Sequence, residues 1–480
     1  MNTHNHACCV PPHPDVEALL RGIVFPPAPG LDDGAIFPST HFPPGTAAKV
    51  ISNSGLARTP LRGVIQVAVI LVDFEDAVMR NGPKVAQRFR DLFFSASGSV
   101  SQYYAEVSGN SISRFDGNIV GPFRMPHPRS YYANNSFGRE KAPNARNMAS
   151  DAYDAAINAL GDLKKYDNDN NGQVDAFIVV HAGRGAEESG LKTDIWSLKW
   201  SLPTPKNGHG AIVSQFLTVP EDAKLGVCVH EIGHLVFGWP DLYDSNPEPT
   251  GEGIGQWCLM SSGSWGGGGD KPVHPSAWCK AAQGWVNVDN VTFDRVLDIG
   301  EVKISNTVYR LWRQGQANTD EYYLVENRTK IKYDEFLPGQ GLLSMFLLFS
   351  SNTGLIIYLF CKVWHILESK MNNQGNPYKV ALVQADNRKN LEVNQNRGDA
   401  GDPFPGSSGN TSFTLTSNPS SKAYNGEDTF VSIRDIPSSS ETMRVKVGVA
   451  PNPFLANFDK GLQDGIEGFD LKNPADDMLA

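Results

Sequence analysis

Residues Val227–Asp244 read VCVHEIGHLVFGWPDLYD, and this stretch decides how the chain is read. His230 and His234 stand four apart, so on a helix both imidazoles project from one face, one turn apart. That spacing lets two ring nitrogens reach a single tetrahedral zinc ion, at about 2.0–2.1 Å each. Glu231, beside the first histidine, is placed to act on a water at the metal rather than on the metal itself. The apolar neighbours Val227, Val229, Ile232, Leu235 and Val236 make this a helix buried in a core. A buried histidine needs a partner, and a metal supplies one.

The helix carries its own stop signal. Gly238 suits the left-handed position just past a helix end, and Pro240 forbids continuation. The chain therefore turns sharply after His234, which can bring a third ligand back beneath the zinc. Asp241 is the expected ligand, because a carboxylate completing two histidines is a common zinc set. Asp244, Glu187, His181 and His274 are the substitutes. The competing reading has Asp241 and Asp244 capping the following turn through their side chains.

Outward from the helix, composition narrows the class. A chain of 480 residues divides into two or three domains, and 40% hydrophobic with 20% charged residues is ordinary for a globular protein. The net charge of −10 and the lack of a dense Lys/Arg run argue against nucleic acid as a partner. The first residues, MNTHNHACCVPPHPDVEALL, have neither a basic region nor a continuous apolar one, so no secretory signal is visible. Six cysteines, Cys8 and Cys9 among them, do not define a disulfide framework, and their pairing is left open.

Four regions follow from the pattern. Residues 1–60, rich in Pro and Gly with one helical stretch at Val16–Leu20, read as an extended leader and candidate prosegment. Residues 61–296 mix buried strands, Val64–Phe74 and Ala176–Val180, with helical spacing at Val85–Phe94 and Ser101–Val107. Residues 297–450 change to short β-type runs such as TVYRLWRQ, EYYLVENR and MRVKVGV, a β-rich second domain. Residues 451–480 read as a tail. The fold class expected is α+β.

Leu342–Leu367 does not fit this pattern. It is apolar at both ends with Ser-Ser-Asn-Thr-Gly in its middle, which argues against a membrane span. A long hairpin or an insertion fits better.

A second metal motif lies upstream. Asp167, Asp169, Asn171 and Asp175 alternate oxygen-bearing side chains around Gly172, and Gln173 can offer its carbonyl, as in the first part of a calcium-binding EF-hand loop. Position 12 is Ile178, so the bidentate Glu is missing and a complete EF-hand is excluded. The alternative is an Asn/Asp-rich turn without an ion.

HEIGHLVFGWPDLYD followed by WCLMSSGSW at 257–265 resembles the immune inhibitor A family of zinc peptidases. The resemblance extends to RGVIQVAVILVDF at 62–74, YDNDNNGQVDAFIVVHAGRGAEE at 166–188, DIWSLKW at 194–200 and NRGDAGDPFPG at 396–406. It implies a metzincin-like fold for the catalytic domain at 61–296, a catalytic zinc, cleavage of protein substrates, and an extracellular location. The β-rich domain that follows reads from its own pattern as sandwich-like. It also makes Met260 the residue of a methionine turn, an apolar floor under the zinc. The family's acidic ligand follows the second histidine by six positions, whereas Asp241 follows His234 by seven, so one extra residue sits in this turn. Against the family pattern, residues 344–362 look inserted.

The reaction expected is zinc-assisted hydrolysis of peptide bonds, with Glu231 as general base. The rival is a non-catalytic zinc-containing binding protein or an inactive peptidase homologue. A structural zinc is closed by a fourth protein ligand and has no need of Glu231.

Overall fold

The computed structural model describes residues 10–20, 60–79, 81–246, 251–338, 359–438 and 442–450. Cys8, Cys9, most of the leader, residues 344–358 and the tail 451–480 lie outside the described residues. The five helices that matter below are α1 (Pro14–Leu20), α2 (Gly82–Phe94), α3 (Val100–Val107), α4 (Ala145–Leu160) and α5 (Leu225–Leu235).

The two apolar runs read from sequence become neighbouring strands. The first sheet is built from β1 (Gly63–Asp73), β2 (Ile112–Arg124), β3 (Phe177–His181), β4 (Leu198–Gly208) and β5 (Ala211–Pro220), in the order β2-β1-β3-β5-β4. Strands β1 and β3 pair in parallel from Ala68 opposite Phe177 to Val72 opposite His181. Every residue of β3 is buried, which is why FIVVH shows no polar alternation. Strand β4 runs antiparallel to β5 at the sheet edge, and the other neighbours are parallel. Strand β5 leads within four residues into α5, so the sheet fixes where the metal helix begins.

Beyond residue 286 strands are the main regular element among the described residues. Strands β6 (Asn287–Asn290), β7 (Arg295–Gly300), β8 (Thr307–Leu311), β9 (Glu321–Thr329), β10 (Leu359–Leu367), β11 (Val380–Leu382), β12 (Ser432–Arg434) and β13 (Thr442–Gly448) form two sheets, β11-β10-β9-β8-β6 and β12-β13-β7. They share an apolar core that includes Ile299, Val325, Val363, Phe413 and Val445. Strand β10 pairs antiparallel with β9 from Leu359 opposite Thr329 to Leu367 opposite Glu321. Residues 359–362, at the end of the stretch that looked inserted, are thus rungs of this ladder, with Cys361 and Lys362 fully buried.

The molecule is a mixed α/β structure with three sheets among the described residues. Within the same limits no helix is long and apolar enough to cross a membrane. Cys228, Cys258, Cys279 and Cys361 are buried free thiols.

Candidate metal centre

All eleven residues of α5 are buried, including both histidines and Glu231. The helix ends as its sequence requires. Gly238 takes φ 67°, its N–H donates to the His234 carbonyl at 3.1 Å, and the Trp239 N–H donates to the Gly233 carbonyl at 3.1 Å. The chain then doubles back and presents Asp241 to the two imidazoles. Asp241 Oδ1 lies 3.2 Å from His230 Nε2 and 3.5 Å from His234 Nε2. The two Nε2 atoms are 3.1 Å apart.

Proton placement tests whether this cluster suits a metal. His230 Nδ1 lies 2.9 Å from the Leu259 carbonyl, and His234 Nδ1 lies 2.6 Å from the Trp239 carbonyl. A carbonyl oxygen only accepts, so each Nδ1 carries a ring proton, and Nε2 is the nitrogen each ring turns inward. Burial pushes His234 below its ordinary value, which disfavours a second proton on that ring. Burial alone would raise Asp241, whereas His234 and His230, when protonated, and hydrogen bonds from their rings hold its carboxyl below the usual range. Two inward-facing ring nitrogens and a carboxylate therefore converge at a site with no solvent exposure. A positive charge shared among them, as protons on the rings or as a metal ion, suits that arrangement. Two imidazoles and a carboxylate are a donor set for zinc, and tetrahedral bonds of about 2.0 Å place ligand atoms roughly 3.3 Å apart. The residues fit the ion.

Two turns support the ligands from outside. Trp257–Met260 supplies the Leu259 carbonyl that orients His230, and the Met260 carbonyl accepts from the Leu242 N–H at 2.7 Å, next to Asp241. Met260 also packs on Gly233, between the histidines: a Cβ there would meet its sulfur at 2.6 Å. Glycine inside a helix costs about 1 kcal/mol relative to alanine, and here the close approach of Met260 requires it. On the far side, the Tyr104 hydroxyl donates to the Val229 carbonyl at 2.6 Å, while Tyr104, Phe237, Trp239 and Trp285 pack ring to ring around the helix end.

Glu231 is fully buried and meets the leader. The Val10 N–H donates to Glu231 Oε1 at 3.2 Å. The next carbonyls are also held: Trp196 Nε1 donates to Val10 O at 2.9 Å and Trp265 Nε1 to Pro11 O at 2.7 Å. The His13 N–H donates to the Glu187 carbonyl at 2.8 Å. Residues 10–13 thus lie over the metal helix with their backbone gripped by groups of the following domain.

The substitute ligands are engaged elsewhere. Asp244 Oδ1 accepts from the N–H groups of Asn246 and Gly375, both at 3.2 Å. The Glu187 carboxylate accepts from the Ser197 hydroxyl and N–H at 2.5 and 3.0 Å, and burial raises it to about 7. His274 Nε2 lies 3.0 Å from Glu106 Oε1. His181, at the end of β3, has Nδ1 3.2 Å from the Ala182 carbonyl, and burial lowers it to about 4.

In the upstream loop, Asp167, Asp169 and Asp175 bring carboxylate oxygens within 4.8 Å of one another. The Asp167 oxygens accept from the N–H groups of Asn171 and Gly172, both at 2.9 Å, and the Gln173 N–H donates to Asn171 Oδ1 at 2.8 Å. The Gln173 side chain accepts from the Ser214 hydroxyl at 2.9 Å, so it points away from the carboxylates toward β5.

Sequence reasoning did not find Leu259, Trp239, Val10, Trp196, Trp265 or the part played by Gly233. Anchors that act through a backbone carbonyl leave no side-chain signature. Gly233 did leave one, a glycine in the interior of a helical pattern.

Residues 65–289 match the family described as "Immune inhibitor A peptidase M6, catalytic domain". The chain is 36% identical over 233 residues to the pre-pro-metalloprotease PrtV of Vibrio cholerae serotype O1, covering 40% of this chain and 25% of that protein. It is 30% identical over 234 residues to immune inhibitor A of Bacillus thuringiensis subsp. alesti, covering 41% of this chain and 34% of that protein. The chain therefore spans a quarter to a third of these relatives' own lengths. The resemblance read from the sequence holds over this segment.

Proposed function

We propose that this chain, whose residues 65–289 match the immune inhibitor A peptidase catalytic domain, is a zinc-dependent endopeptidase acting on proteins. The observation that supports it most is the convergence of His230 Nε2, His234 Nε2 and Asp241 with both Nδ1 atoms held by carbonyls. On this reading those three residues are the zinc ligands and the catalytic part is metzincin-like, with Met260 as the apolar floor beneath them. The β-rich part is sandwich-like.

Zinc bound there supplies Lewis acidity and makes a water at neutral pH easier to ionise. Glu231 does the proton work: its carboxylate takes a proton from the attacking water and returns it to the leaving amine. Because Val10 donates to Glu231, the base is covered in this arrangement and must be uncovered before a substrate can use it. An extracellular location belongs to the same reading and accords with a relative named as a pre-pro-metalloprotease. The Asp167–Asp175 loop, with Asp167, Asp169, Asn171, Gln173 and Asp175 as donors, is read as a stabilising calcium site, supported by its three converging carboxylates.

The test is zinc content and casein hydrolysis of the chain and of Glu231→Gln, each measured with and without Val10→Pro, which removes the leader's hydrogen bond to the base. One zinc per chain throughout, with hydrolysis only where Glu231 is intact, is the expected result. Zinc in every protein and hydrolysis in none would favour a non-catalytic zinc-containing binding protein or an inactive homologue.

A further inference from the structure

The turn that orients His230 is itself held by the β-rich domain. Arg328, in β9, has no solvent exposure. Its guanidinium donates from Nη1 to the Trp257 carbonyl at 2.8 Å and from Nη2 to the His274 carbonyl at 3.3 Å. Nε donates to Asp334 Oδ2 at 3.0 Å, and Nη2 also contacts Asp334 Oδ1. Asp334 in turn accepts the His274 N–H at 3.0 Å. The His274 carbonyl accepts the Leu259 N–H at 3.3 Å, and the Leu259 carbonyl holds His230 Nδ1. One planar fork therefore holds the first carbonyl of the Trp257–Met260 turn and the His274 carbonyl paired with Leu259, and through His274 it stands three hydrogen bonds from the His230 ring. Two more β-domain groups press on the same turn: Lys362 lies 4.5 Å over the Trp257 ring, and Asp402 Oδ2 accepts from Trp257 Nε1 at 2.9 Å.

We infer that Arg328 is a positioning residue for the metal centre, fixing the Leu259 carbonyl against His230 so that the ligands are preorganised by the second domain. The inference rests on the metal reading above for its consequence, though the brace itself is a contact within the chain. Arginine suits the task because its fixed fork serves two carbonyls and a carboxylate together, which the single ammonium of lysine cannot do. Groups of this kind, orienting a ligating histidine from outside, commonly change metal affinity by about 10–100-fold when removed.

The experiment compares full-length wild type with Arg328→Lys and with the double variant Arg328→Met/Asp334→Leu. The double variant removes both charges of the pair together, so neither faces the other's loss, although Lys303, 3.3 Å from Asp334, and Glu326, 3.7 Å from Arg328, each lose a partner. The milder Arg328→Lys keeps the charge and is the variant whose folding is expected to be intact. Arg310→Lys, the same substitution at β8 away from the turn, controls for loss of an arginine in this domain. Zinc dissociation constants come from chelator competition, and amide exchange is followed by mass spectrometry on the metal-free proteins. Expected in both Arg328 variants are zinc binding at least tenfold weaker, faster exchange confined to about 239–262, and a lower kcat with KM within twofold. The control should match wild type. Folded Arg328 variants with wild-type zinc affinity and wild-type exchange in that segment would overturn the inference. A wild type that binds no zinc, with exchange still rising locally in the variants, would sink the metal reading and support the brace.

Discussion

Met260 and Gly233 meet beside the His230–His234 pair so closely that one methyl group on Gly233 would lie 2.6 Å from the methionine sulfur and 3.1 Å from the Trp239 ring. Gly233→Ala sets two effects against each other. Alanine gains about 1 kcal/mol of helix propensity, whereas over-packing a full core costs about 1–3 kcal/mol. With neighbours on two sides the second should win. The expected outcome is a melting temperature lower by a few degrees together with weaker zinc binding. A variant that melts higher and keeps its zinc would show that Met260 is free to move.

Asp241→Asn keeps the shape of the third ligand and removes its charge. Zinc affinity should fall at least tenfold, and chelator should lower the melting temperature of the wild type far more than that of the variant. Saturating a site at about a thousand times its Kd stabilises the folded state by roughly 4 kcal/mol, which sets the size of the wild-type response. Equal responses to chelator would remove Asp241 from the site.

Glu187 gives a pH signature with a definite sign. Burial raises its carboxyl from 4.5 to about 7 in the folded chain, opposed by the hydrogen bonds from Ser197. Between those values the folded state binds the extra proton, so stability falls as pH rises through about 4.5 to 7 and is unaffected below. Glu187→Gln should abolish that decline, because a neutral amide has no proton to lose over this range. Identical pH–stability curves for the two proteins would refute it.

Val10→Pro deletes the N–H that Glu231 accepts while keeping the carbonyl held by Trp196. Hydrolysis of a peptide substrate should rise severalfold over the unmodified chain, through kcat/KM. No rise, in a protein that carries zinc, would mean that Val10 does not restrain the base.

Deletions around β10 separate ladder from insertion. Removing 344–358 leaves every described rung between β9 and β10 in place, whereas removing 344–362 takes away those opposite Thr329–Glu326. The shorter deletion should be soluble and melt close to the wild type, and the longer one should melt several degrees lower or fail to fold. Equal behaviour would show that residues 359–362 contribute nothing to the sheet.

The parts of this molecule legible in the sequence are those whose cause is local. The buried strand of Val64–Phe74 reads from β-branched density, and the metal helix reads from its i, i+4 histidines and its Gly238–Pro240 stop. Strand β4 was not legible, because LKWSLPTPKNG carries two prolines and lies at an edge, where partial exposure blurs the pattern. Strand β10 was hidden because its apolar residues continue an apolar run outside the described residues. At the site, ligand types were readable from side chains. The carbonyls of Leu259 and Trp239 were not, because any residue can offer one, and only the tertiary arrangement selects which does.

The brace from Arg328 to the Trp257–Met260 turn carries a consequence for biosynthesis. The histidine pair leaves the ribosome about a hundred residues before the arginine and aspartate that fix its surroundings, at 328 and 334. At about 5–20 residues per second, roughly 5 to 20 s separate His234 from Asp334 during synthesis. Through that interval the nascent chain holds a complete ligand motif with an unbraced partner turn. On the zinc reading, a chain assembled in this order gains its tightest metal grip only once Arg328 and Asp334 have been made and folded against the turn.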